Sequence, residues 1–148
     1  MVTESEHTRG LAEAEAVCRR RGGRLTRSRR AVLDLLLRVG RPLTAYEVLD
    51  LLLPGHSAAT PASVYRSLDF LMERGLVHKL ETTRAYVACG HPEHPHAGQF
   101  LICRQCGTVV EADDERVISA TEQLGHQMGF SLDQRTVELL GLCGSCQS

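Results

Sequence analysis

Six cysteines stand in this chain of 148 residues, and four of them come as two Cys-x-x-Cys pairs, Cys103/Cys106 and Cys143/Cys146. Such pairs can be a redox-active dithiol, two disulfides or one site for a soft metal ion. Two-residue spacing lets each pair turn around one ion as a knuckle, with Gly107 and Gly144 easing the turn. Four thiolates would close the tetrahedral shell of a zinc ion and leave no position for a substrate, which is the pattern of a structural site. The first 30 residues are mixed in charge and lack the apolar core of a secretion signal. A cytoplasmic location is therefore expected, where thiols stay reduced and structural disulfides are rare. A thioredoxin-like redox pair is the rival, although two well-separated pairs fit zinc better.

More donors gather in the middle of the chain: His78, Cys89, His91, His94, His96 and Glu111. One thiolate, imidazoles and a carboxylate could make a second tetrahedral zinc site, whereas a ferrous ion favours five or six harder donors. Cys89 is the discriminating residue. Each donor alone has a blander reading, a solvated histidine or a small buried cysteine such as Cys18. A zinc enzyme is a further alternative, because "HPE" at His91–Glu93 with "CRQC" partly matches the deaminase pattern H-x-E…P-C-x-x-C. Ile102 stands where that pattern needs proline, and the second cysteine pair would have no task.

These residues need elements to hold them, and the front half reads as helices separated by breakers. "GLAEAEAVCRRRG" ends at Gly22-Gly23; "TRSRRAVLDLLLRVG" starts at the N-cap Thr26 and carries Val32, Leu33, Leu36 and Leu37 on one stripe. A third helix begins at Thr44 and stops at Pro54-Gly55. The fourth, "TPASVYRSLDFLMERG", has Thr60 as N-cap, Pro61 at its first position and Gly75 as terminator. "LVHKLETTRAYVAC" reads as a hairpin turning at Thr82-Thr83, and "GHPEHPHAGQ" as a linker. Beyond it, strand-like "FLIC" and "TVVEA" flank the first knuckle. "ERVISATEQLGHQMG" places Val117, Ala120, Leu124 and Met128 on one helical face, and "TVELLGLC" is the last strand.

Charge divides the same way. Met1–Arg84 carries 14 basic and 10 acidic residues, a net of +4, whereas Ala85–Ser148 carries 3 and 8, a net of −5. A basic front half suggests a polyanionic partner. On the fourth helix Val64, Leu68 and Leu71 should be buried, leaving Ala62, Arg66, Asp69 and Glu73 outward. Small residues at the start of that face allow entry into a major groove, where Arg66 could read a guanine edge. Thr60, Ser63 and Tyr65 are further candidate DNA contacts. A hairpin directly after such a helix is the order of a winged helix, with Lys79 and Arg84 placed to touch the DNA backbone.

"TPASVYRSLDFLMERGLVHKLETTRAYVAC", "HAGQFLICRQCGTVVE", "MGF" and "LLGLCGSC" together resemble the ferric uptake regulator (Fur) family, and within it the zinc uptake regulators. The resemblance runs from about Arg24 to Cys146. It implies an α+β protein: a winged-helix DNA-binding domain over residues 1–88, a hinge over 89–98 and a zinc-stabilised α/β dimerisation domain over 99–148. It further implies a structural zinc on Cys103, Cys106, Cys143 and Cys146, and a regulatory zinc on His78, Cys89, His96 and Glu111, about two ions per chain. Two departures stand out. Gln99 and Phe100 occupy the place of a histidine cluster found in the iron sensors, and "LTRSR" replaces "LTPQR", with Arg29 the matching phosphate contact. The implied function is a dimeric, zinc-responsive repressor on inverted-repeat operator DNA, controlling zinc-uptake genes. An iron, manganese or peroxide sensor on the same fold is the near alternative.

Overall fold

The computed structural model describes residues 2–93, 98–133 and 135–148. The chain divides into two compact units, Met1–His94 and Pro95–Ser148.

The first unit opens with α1 (Glu4–Arg20), α2 (Arg27–Val39), a two-residue strand β1 (Leu43–Thr44), α3 (Ala45–Leu52) and α4 (Pro61–Glu73). The hairpin β2 (Val77–Leu80) and β3 (Ala85–Ala88) follows. Helix α1 starts six residues before the Gly10 at which the sequence pattern begins. The cause is a capping box: the Thr3 hydroxyl accepts the Glu6 amide at 3.2 Å and the Glu6 carboxylate accepts the Thr3 amide at 2.9 Å. Helices α2, α3 and α4 start at Thr26, Thr44 and Thr60, as their caps dictate.

One apolar core holds these helices together. Leu33, Leu36, Val48, Val64, Leu68 and Leu71 are all essentially sealed from solvent, and each such side chain contributes about 1.5–3 kcal/mol of burial. Cys18 belongs to this core as a small apolar residue. Strand β1 escapes a pattern reading because two residues show no period. It pairs antiparallel with β3, Leu43 opposite Tyr86, so the sheet order is β1-β3-β2. Three helices and this sheet make the winged helix.

The second unit is built on β4 (Gly98–Cys103), flanked antiparallel by β5 (Val109–Ala112) and parallel by β6 (Thr136–Gly141). Helix α5 (Glu115–Gln127) makes the crossover between β5 and β6. Among the described residues of this unit, Phe100, Ile102 and Cys103, all on β4, are the buried apolar ones. Gln99 is buried as well, and the structure explains it. Its side-chain amide donates to the Asp114 carbonyl at 3.1 Å and accepts the Asp114 amide at 3.2 Å. Asp114 is the N-cap of α5, so one glutamine pins the start of the crossover helix to the central strand. Replacing Gln99 with Leu strips the Asp114 amide of its acceptor, while the Asp114 carbonyl keeps the Val117 and Ile118 amides at 3.1 and 3.2 Å. It should cost about 1–3 kcal/mol, read as a lower urea midpoint with an unchanged slope.

Candidate metal centres and DNA interface

The four-cysteine group follows from strand register. Cys103 ends β4 opposite Gly141 at the end of β6, which brings the knuckle after β4 beside the one after β6. At the first knuckle Gly107, at φ +76°, turns the chain back, with its amide on the Cys103 carbonyl at 2.9 Å. A 3₁₀ turn, Gly144–Cys146, forms the second. Gly144 does not adopt the left-handed conformation that Gly107 does.

The four sulfurs lie within 4.8 Å of one another, and Cys106 Sγ is 3.7 Å from Cys143 Sγ. Tetrahedral zinc with Zn–S bonds of about 2.3 Å separates its sulfurs by about 3.8 Å. A disulfide would need about 2.05 Å, and all six cysteines are free thiols. The spacing therefore fits one ion held by four sulfurs.

Electrostatics favour the same occupant. The amide of Cys106, then that of Cys143, pulls the Cys103 thiol down to about 6, and the Cys143 amide lies 3.4 Å from its sulfur. The Thr108 hydroxyl lowers Cys106. Contact with the Cys143 sulfur pushes Cys146 up to about 12. Unaided, four sulfurs this close cannot all carry charge; a bound dication removes the conflict.

The second set of donors is distributed over both units. In the hairpin, His78 faces Val87, and Cys89 lies two residues beyond Val87, so the two are diagonal neighbours on one face. Their donor atoms lie within 4.8 Å of each other. Cys89 is buried, and its sulfur accepts the His91 amide at 3.4 Å. Glu111 sits on β5 opposite Phe100. His96 and His94 lie outside the described residues. Glu93 of the "HPE" triplet is engaged elsewhere, paired with Arg20 at 2.5 Å.

On α4, Val64, Leu68 and Leu71 point inward, and Arg66, Asp69 and Glu73 are exposed. Tyr65 is 42% exposed, so it and Arg66 form a projecting pair on the outer face. Thr60 and Ser63 serve the helix itself: each hydroxyl accepts the other's amide, at 3.1 and 2.9 Å. Arg84 holds the turn of the wing in a left-handed conformation, φ 54°, with its side chain exposed. Lys79 lies half-buried on β2, 3.9 Å from Glu81.

Arg29 has an internal task that its sequence position did not reveal. Its guanidinium stacks 3.6 Å from the Phe70 ring centroid and donates to the Arg24 carbonyl at 2.9 Å. Arg74 flanks the same ring at 5.0 Å. These contacts, worth about 0.5–2 kcal/mol each, fix the start of α2 against α4. Their signal in the sequence is an aromatic residue on the flank of α4, in a chain with three phenylalanines.

Cys103→Ser should lower the zinc content by about one ion per chain and lower the melting temperature of the second unit. Native mass spectrometry with calorimetry reads both. An unaltered mass and melt would remove the four-sulfur assignment.

Comparison with known proteins agrees with this geometry. The model of the ferric uptake regulator family matches residues 20–140. The zinc uptake regulation protein of Escherichia coli (strain K12) is 42% identical over 137 residues, covering 92% of this chain and 80% of its own length. A solved zinc uptake regulator complexed with zinc and DNA superposes with a TM-score of 0.89 at 40% identity, covering 99% of this chain and 97% of that one. Holo XcZur superposes at 0.83 with 43% identity, covering 93% and 96%. From its winged helix to its paired knuckles, the chain belongs to the ferric uptake regulator family.

Proposed function

We propose that this protein is a zinc-responsive, dimeric transcriptional repressor that binds operator DNA when a regulatory zinc site is filled and thereby controls zinc-uptake genes. The observation that carries the reading is the placement of His78 and Cys89 on one face of the wing hairpin, directly after the helix that presents Tyr65 and Arg66. A thiolate–imidazole pair there selects a borderline-soft ion over ferrous iron. The similar proteins named above support the same metal and the same partner.

One zinc per chain belongs to Cys103, Cys106, Cys143 and Cys146. It is structural, because those donors fill its shell. A second belongs to His78, Cys89, His96 and Glu111. Bound there, an ion would link three segments: the wing, the stretch around residue 96 and strand β5. Donors on both sides of residues 94–97 then restrict the orientations open to the winged helix. Only some orientations set two recognition helices about one helical turn apart on an inverted repeat. The dimer is supported by the second unit's uncovered apolar surface. Leu101, with Val110 and Leu139 opposite it, is about half exposed, and Leu124, Met128 and Phe130 on and after α5 are largely exposed. Among the described residues no helix is long and apolar enough to cross a membrane.

Arg66 and Tyr65 read base edges in this proposal, while Lys79, Arg84 and the amides at the start of α4 meet phosphates. Thr60, Ser63 and Arg29 act chiefly by holding α4 in place. Arg66→Ala should cost about 1–3 kcal/mol of operator binding and relax sequence preference at one base pair, read by titration against single-base operator variants.

A DNA-binding titration against buffered free zinc, repeated with iron and manganese, tests the function. Zinc should switch binding on. Cys89→Ser should abolish that response while leaving a folded dimer by light scattering. A wild-type response in Cys89→Ser, or preferential response to iron, would defeat the zinc-sensor reading.

A further inference from the structure

Arg21, the C-cap of α1, divides its guanidinium between two carbonyls remote in sequence. Nη1 donates to the Arg74 carbonyl at 2.5 Å and Nη2 to the Pro92 carbonyl at 2.7 Å. Arg74 is the C-cap of α4, the DNA-reading helix. Pro92 stands three residues after Cys89 and is buried, although His91 and Glu93 on either side are exposed. Neighbouring Arg20 holds Glu93 at 2.5 Å. Gly75 makes the fork possible: at φ +70° it ends α4, and a Cβ there would lie 2.7 Å from Arg21 Nη1. The end of α1 thus ties the segment leaving Cys89 to the end of α4.

We propose that Arg21 is a positioning residue that transmits metal occupancy at Cys89 to the recognition helix. The inference rests on the regulatory zinc site proposed above. A guanidinium is planar, with its donors in a fixed fork, so two carbonyls bound to it keep one mutual geometry. Cys89 is linked to that geometry by a short ribbon whose own amide, at His91, points to the sulfur. When Cys89 is drawn into a coordination shell, Gly90–Pro92 is held still, and the fork holds the Arg74 carbonyl with it. The recognition helix is then fixed at its C-terminal end by the fork and at its flank by Arg29 on Phe70. An ammonium, a point charge with no fork, cannot impose that geometry on both carbonyls.

The test compares wild type with Arg21→Gln and Arg21→Lys on a DNA duplex selected from a random pool by the zinc-loaded wild type. Affinity is measured at buffered free zinc that fills both sites, and again where only the four-cysteine site stays filled. Wild type should lose about 100-fold between the two conditions. Each variant should lose about 10-fold or less while still binding two zinc ions per chain. In parallel, zinc loading should slow amide hydrogen exchange at Gly75 and Leu76 in wild type and not in the variants, a readout that survives even if DNA binding is weak. A variant that binds more weakly at both zinc levels with an unchanged ratio would reduce Arg21 to a helix cap and overturn the proposal. Loss of the zinc response in wild type itself would instead take down the regulatory reading and this inference together.

Discussion

Four sulfur atoms in mutual contact form the constraint on which the second unit depends. Ionised, they repel; protonated, they offer only weak hydrogen bonds; bridged by a dication, they would close a unit in which the buried apolar residues, among those described, are Phe100, Ile102 and Cys103. A core that small cannot offset the entropy of ordering three strands and a helix. Register does the rest. Because Cys103 ends the central strand beside Gly141, closing the knuckles also locks β6 parallel to β4. The crossover helix is tethered at its start by Gln99, so both ends of the βα excursion are fixed to the same strand.

The winged helix uses different physics. Its stability comes from a continuous apolar core with capped helices, and it keeps its shape without metal ligands inside that core. Its candidate metal donors, half-buried His78 and buried Cys89, sit on and just after one hairpin, outside that core. That separation suits the proposed sensor: the candidate donors His78 and Cys89 could bind or release an ion without unmaking the unit that carries α4. The two candidate metal centres differ accordingly, one closed and sulfur-only, the other of mixed donors.

Much of this was legible in the sequence because it rests on local rules. Thr26, Thr44, Thr60 and Pro61 announced helix starts, Gly75 a helix end, and the knuckle spacing announced four sulfur donors. The inward set Val64, Leu68 and Leu71 followed from the period of α4. What stayed hidden depends on contacts between residues far apart. Gln99 looked like a departure from a histidine-rich pattern, yet its partner is a backbone fifteen positions away. Arg29, expected as a phosphate contact, also stacks on Phe70, which nothing local reveals. The face of α5 formed by Val117, Ala120, Leu124 and Met128 was periodic as expected. Even so, Leu124 and Met128 are largely exposed within one chain, as a surface awaiting a second copy would be. The early start of α1 was readable, since Thr3 and Glu6 have capping-box spacing.

Gly75 answers two independent demands at once. Its left-handed backbone terminates α4, and the empty space beside it admits the Arg21 guanidinium. Asparagine, the usual substitute where a chain must turn left-handed, would satisfy the first demand and violate the second. Descent with modification therefore has no half-step at this position. A lineage that gave up the fork could carry asparagine at residue 75, and one that kept it would be held to glycine.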